Sequence, residues 1–312
     1  MNDGSKRAII AAFLANLGIA IAKLIGFVIT GASSMLAESV HSLADTGNQG
    51  LLVLGGRQAA RPATEEHPFG FGRDRYFWSF VVALVLFLVG GLFAIYEGVD
   101  KLRHPHDITS PAVALGILGV ALVLESFSLR TAVKAANPLR KGRSWVEFIH
   151  RSKSPELPVV LLEDLGALVG LAFAFTGVTL AVVTGEPRFD GAATDAIGAL
   201  LVVIAVVLVL ETKSLLIGES ASPEDRERIE AEITGAPHVR RLLSMKTLHL
   251  GPDELLVAAK VEFDRDLTVP ALAAAVDGCE ARVRDAMAIP CEIYLEPDLA
   301  REQAPSTGPA TP

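Results

Sequence analysis

The stretch Glu38-Ser39-Val40-His41-Ser42-Leu43-Ala44-Asp45-Thr46-Gly47-Asn48-Gln49 runs without a proline break into Gly50-Leu51-Leu52-Val53-Leu54-Gly55. It reads as part of a membrane-length helix that carries far too many polar groups. Successive side chains on a helix lie about 100° apart, so His41 and Asp45 stack on one face, with Glu38 one turn before and Gln49 one turn after. An ionisable side chain near the centre of a bilayer costs at least about 2.5 kcal/mol. Such a stripe must face protein or water, and it is the expected seat of function.

The 312 residues are 51% hydrophobic, yet 21% are charged. That mixture implies segregation into apolar spans and a polar, water-exposed part. A net charge of -8 argues against a nucleic-acid partner, because phosphate contact needs clustered Lys and Arg. The two cysteines, Cys279 and Cys291, form neither a CxxC pair nor a disulfide framework and are expected to be free thiols.

Six segments are long enough to cross a hydrocarbon core of about 30 Å: residues 8–30, 34–58, 75–99, 110–134, 157–183 and 191–215. Lys6, Arg7, Arg57, Arg61, Arg73, Arg75, Arg130, Lys134, Arg140, Lys141, Arg143, Arg151 and Lys153 flank one set of alternate ends; only Lys101, Arg103 and Arg188 flank the other. Both termini are therefore expected on the cytoplasmic side of a multi-pass protein of the inner (cell) membrane. The link 135–156 is basic with Trp145, Phe148 and Ile149 interleaved, and suits either a short amphipathic helix at the membrane surface or a solvated loop.

Expected organisation is a six-span membrane domain over 1–217, a small α-β-β-α-β domain over 218–299 and a disordered tail over 300–312. In the second domain Ser222-Pro223-Glu224-Asp225 is a helix start, and Leu242–Leu250 and Glu254–Phe263 read as a hairpin about Gly251-Pro252-Asp253. Thr268-Val269-Pro270 opens a second helix, and Cys291–Leu295 gives a third strand.

Other spans carry polar groups of their own. Glu163 and Asp164 lie side by side in span five, Asn16 and Lys23 in span one, and Asp190 and Asp195 at the start of span six. Imidazole with carboxylates suits Zn²⁺ and also Mn²⁺, Fe²⁺ or Co²⁺, and the lack of thiolate disfavours monovalent copper. Asn16 suits helix-to-helix hydrogen bonding. Lys23 suits snorkelling or a salt bridge. Asp190 and Asp195 fit either a solvated helix end or a role in cation passage.

With these residues in order, the chain resembles the cation diffusion facilitators. His41-Ser42-Leu43-Ala44-Asp45 looks like the family's span-two metal half-site and His67-Pro68-Phe69-Gly70-Phe71-Gly72-Arg73 like the loop that follows it. Phe189-Asp190-Gly191 and Leu216-Ile217-Gly218-Glu219 resemble the span-six flanks. The resemblance implies a bundle of six transmembrane helices with a cytoplasmic, ferredoxin-like, metallochaperone-like α+β domain, assembled as a homodimer. It implies no enzyme and no prosthetic group: the divalent metal is substrate, exported from the cytoplasm in exchange for protons.

The sequence also departs from the family. Most members place His or Asp where Val160 stands, four residues before Asp164, and Leu162-Glu163-Asp164 is similar to a sub-branch that includes mitochondrial members. The implied ligands are His41, Asp45 and Asp164, with Glu163, a water or a backbone group in fourth place; Glu163 sits about 100° around the helix from the usual position. Phe71 replaces the loop's second histidine, so a metal site at His67 is expected to be weak or lost. His238 and His249 are expected in surface or packing roles, and His104 and His106 in solvent beside Asp107. Two rival functions remain: a membrane-bound, metal-dependent lipid-modifying enzyme, and a non-transporting metal-sensing scaffold.

Overall fold

The computed structural model describes residues 3–140 and 142–300, with side chains from residue 16 onward. Of the tail expected to be disordered over 300–312, residues 301–312 lie outside those described. The chain divides into two compact units, Met1–Leu216 and Ile217–Pro312.

The first unit is a helical bundle. Its long elements are α1 (Asp3–Thr30), α2 (Ser33–Ala59), a continuous third run made of α3 (Asp74–Val85), a π-helical segment (Leu86–Leu92) and α4 (Phe93–Arg103), then α5 (Pro111–Arg140), α7 (Glu156–Thr184) and α8 (Arg188–Ile217). The short α6 (Trp145–Arg151) links α5 to α7, so the local conformation follows the helical reading of that link. Its Phe148 is buried against Ala132, Ala136 and Leu161, while Val146 is exposed.

Among the described residues four helical runs are long and apolar enough to cross a membrane: Asp74–Arg103, Pro111–Arg140, Glu156–Thr184 and Arg188–Ile217. α2 has the length, but its polar residues dilute it. Those residues are turned inward: Glu38, Ser39, His41, Ser42, Thr46 and Asn48 are all buried.

The α1–α2 turn, Gly31-Ala32, is tied to several other helices of the bundle. Carbonyls at the end of α1 receive the Thr109 amide at 2.8 Å (Thr30), the Thr109 hydroxyl at 2.7 Å (Ile29) and the Lys101 ammonium at 3.2 Å (Gly31). At the start of α2, the Asp190 carboxylate of α8 accepts the Ser33 amide at 2.8 Å, the Ser34 amide at 3.3 Å and the Ser34 hydroxyl. These are the donors that a helix start leaves without partners, and lipid offers none. Asp190 and Lys101 lie 3.9 Å apart, both fully buried. Asp190 is thus no solvated helix end: it caps a different helix.

The third run and α8 cross backbone to backbone. A Cβ added at Gly198 would lie 2.7 Å from the Ile95 nitrogen and 2.9 Å from the Gly91 oxygen; one at Gly98 would lie 2.7 Å from the Asp195 nitrogen. Small residues permit this approach in membrane bundles. Gly198→Ala is expected to cost about 1–3 kcal/mol, because here backbone and not a flexible side chain must yield. Thermal unfolding of the full chain in detergent checks this, and wild-type stability in the variant would refute it.

The second unit runs α9 (Pro223–Thr234), β1 (Val239–Gly251), β2 (Glu254–Phe263), α10 (Val269–Ala286) and β3 (Cys291–Pro297). The sheet order is β1-β2-β3, with β1 antiparallel and β3 parallel to β2. A parallel pair needs a crossover, which α10 supplies. Ile229 and Ile233 of α9 and Cys279 and Val283 of α10 bury one face against Leu255, Val257, Ala259 and Val261. The Ser222 hydroxyl caps α9, accepting the Asp225 amide at 3.1 Å. Both cysteines are free, and burial pushes both thiols up. Hydrogen bonds from Arg240 and His238 hold Asp264 below the usual carboxylate range.

Candidate metal centre

His41 and Asp45 lie where the helical period puts them, His41 Nε2 standing 3.4 Å from Asp45 Oδ2. His41 is fully buried, and neither of its ring nitrogens has a hydrogen-bond partner. Asp45 Oδ1 is also buried without one. A buried polar atom left unsatisfied costs about 1–3 kcal/mol, so a pair carrying three of them stands ready for an electrophile. The π-helical segment passes beside it: a Cβ at Gly90 would lie 3.8 Å from His41 Nδ1. π-turns often mark functional sites, because they displace one residue from the helical ladder.

Glu38, one turn from His41, is engaged elsewhere. Its Oε2 accepts from the Lys23 ammonium at 3.0 Å, and the same ammonium donates to Ser42 Oγ at 2.7 Å. Lys23 is therefore a fully buried ion-pair partner and does not snorkel. The other Glu38 oxygen faces α7 at Gly170, where a Cβ would collide with it.

The two carboxylates of α7 diverge. Glu163 turns to α2, accepting Asn48 Nδ2 at 2.7 Å; Asp164 turns to α5, accepting Ser128 Oγ at 3.1 Å. The 100° between adjacent residues thus directs Glu163, not Asp164, to the helix that carries His41 and Asp45. Val160 packs with Ala132 and Ala136 of α5, on the Asp164 side. Glu163 accordingly turns to the helix of the His41–Asp45 pair, and Asp164 stands apart on the α5 side. Among the described residues no three His, Cys, Asp or Glu side chains converge closely enough to hold an ion.

Sequence reasoning missed Asn48 and Ser128, which fix the rotation of α7, and Glu125 of α5, whose charge is felt by Asp45 and Asp164. Glu125 had a legible signal: it is a lone acid within Leu122-Val123-Leu124-Glu125-Ser126-Phe127, at mid-span.

The remaining histidines have other partners. The exposed His67 ring lies 4.6 Å from Phe71, over which the Arg61 guanidinium stacks at 3.9 Å. Phe71 thus holds the loop together by packing. His106 lies within hydrogen-bond reach of Gly31 O at 3.2 Å, and His104 of Asp100 at 3.1 Å. His238 is an exposed partner of Asp264, and buried His249 meets the Gly251 carbonyl.

The profile of the cation efflux transmembrane domain matches residues 9–217. The proton-coupled zinc antiporter SLC30A9, mitochondrial, of Homo sapiens is 34% identical over 244 residues, which make up 78% of this chain and 43% of that protein. Metal tolerance protein C4 of Arabidopsis thaliana is 27% identical over 267 residues, 85% of this chain and 58% of that protein. The manganese efflux system protein MneP of Bacillus subtilis is 22% identical over 273 residues, 85% of this chain and 86% of that protein. The chain spans less than half the length of the mitochondrial antiporters it matches. A profile match across 9–217, together with a relative one-third identical over most of the chain, makes this a membrane protein of the cation diffusion facilitator family.

Proposed function

We propose that the chain moves a divalent first-row metal, zinc or else iron, manganese or cobalt, out of the cytoplasm in exchange for protons. The observation that carries this reading is the buried His41–Asp45 pair with its unsatisfied nitrogens and oxygen. In the proposal these two are half of the transport site, and Glu163 and Asp164 supply the other half after a modest rotation of α7 against α2. Metal needs a neutral imidazole and ionised carboxylates, so metal and protons compete for the same lone pairs and each displaces the other. Alternating access then follows from rocking helices around a midplane site.

The relatives' names support the cargo: one is a proton-coupled zinc antiporter and another a manganese efflux protein. We place six spans in the inner membrane, α1 and α2 joining the four strongly apolar ones. Both termini and the α-β-β-α-β unit, read as ferredoxin-like and metallochaperone-like, lie in the cytoplasm, and two chains pair. The family's chemistry favours this over a lipid-modifying enzyme or a sensing scaffold. Reconstitution in liposomes carrying an internal pH dye tests it. An imposed zinc gradient is expected to drive proton movement in the opposite direction, and zinc flux without proton movement would refute the exchange.

A further inference from the structure

Apart from Glu125 and Ser128, the face that α5 turns to the bundle is apolar. Ala114, Leu118, Ala121, Ala132 and Ala136 are buried, at spacings of three, four or a multiple turn, while Val120, Val123, Leu124 and Phe127 are exposed. Glu125 and Ser128 fall in register with the buried stripe, four and seven residues after Ala121. A carboxylate thus occupies a position where the stripe demands an apolar side chain. Such a group in mid-span is costly and has a counter-charge or a function.

The depth of Glu125 follows from hydrogen bonds. α2 and α5 start at the same end of the bundle, since Thr109 binds the Thr30 carbonyl and Ser33 begins α2 just beyond it. Asn48 of α2 and Ser128 of α5 grip adjacent residues of α7. They therefore lie at one level. Asp45 and Glu125 each precede their anchor by three residues, about 4.5 Å along parallel helices, and so share a second level. Glu125 is thus within electrostatic reach of Asp45. The nearby cation, Lys23, is already bonded to Glu38 and Ser42. At that same end the fully buried His41 presents two nitrogens without hydrogen-bond partners.

Building on the transport reading, we propose that Glu125 is a ligand of the transported cation, contributed by α5 opposite Asp45. The donor set then becomes one imidazole with carboxylates from three helices, a set that does not depend on a ligand at Val160, which packs with Ala132 and Ala136. Oxygen-rich sets of this kind also suit manganese, while raw affinity still ranks zinc above manganese and iron.

The test uses the full-length chain in phosphatidylethanolamine–phosphatidylglycerol liposomes, with ZnCl₂ and MnCl₂ as probes. Glu125→Gln is expected to raise the half-saturating zinc concentration by at least about 10-fold, and Glu125→Asp to restore most of it. A membrane-permeant carbodiimide provides a second readout on the wild-type chain, and saturating ZnCl₂ is expected to suppress labelling of Glu125. An active wild type whose Glu125→Gln variant keeps its half-saturation overturns this assignment and leaves the transport reading standing. Zinc-independent labelling overturns it equally, even if the variant fails to fold. A wild-type chain that moves neither ion overturns both.

Discussion

Replacing His41 and Asp45 together by alanine is expected to reduce zinc-driven proton movement to below about a hundredth of the wild-type rate. Loss of a group that merely supports a metal ligand costs about 10–100-fold in affinity, and here two ligands go at once. The geometry adds a second, opposing expectation. His41 donates and accepts no hydrogen bond, and Asp45 Oδ1 has none to lose, so alanine removes unsatisfied buried atoms from the bundle. Truncation of satisfied groups destabilises; truncation of orphaned ones largely returns in relieved desolvation what it loses in packing. The double variant should therefore unfold in detergent near the wild-type temperature while transport is gone. Wild-type transport in this variant would remove the site from α2.

Asp190→Ala has the reverse profile. It strips two amides and a hydroxyl at the start of α2 of their acceptor and leaves the buried Lys101 ammonium on the Gly31 carbonyl without the Asp190 counter-charge. Removing one member of a buried ion pair costs about 3–5 kcal/mol, a large fraction of the roughly 5–15 kcal/mol that holds a domain together. Asp190→Asn keeps an acceptor oxygen and is expected to lose less. Adding Lys101→Met to Asp190→Ala is expected to recover part of the loss, since the orphaned charge then disappears. Thermal unfolding of the four proteins in the same detergent decides, and equal stability of Asp190→Ala and wild type would contradict the cap.

The long helices were legible because apolar length is a one-dimensional property. The run predicted at 157–183 is the helix Glu156–Thr184, and that predicted at 34–58 is Ser33–Ala59. α5 continues to Arg140, past the predicted 134, with Pro138 inside it. Strands and helices of the second unit were legible from caps and alternation, notably Ser222-Pro223 and the Gly251-Pro252-Asp253 turn. What could not be read were choices made between helices. That Glu163 and Asp164 point about 100° apart was written in their adjacency. Which of the two meets α2 depends on Asn48 and Ser128, which are distant in sequence and ordinary in type. Asp190 looked like the start of its own helix, and only the fold brings Ser33 and Ser34 to it.

The glycine crossing of the third run with α8 has a mechanical meaning. Most helix pairs meet through interdigitated side chains, a layer that yields by rotamer changes and lets one helix slide past the other. At Gly91, Gly98 and Gly198 that layer is thinned to single contacts with Val202, Asp195 and Ile95, and main chain comes close to main chain. Little in the joint can give by rotamer changes. The two helices are therefore expected to move as one beam when a path opens past His41.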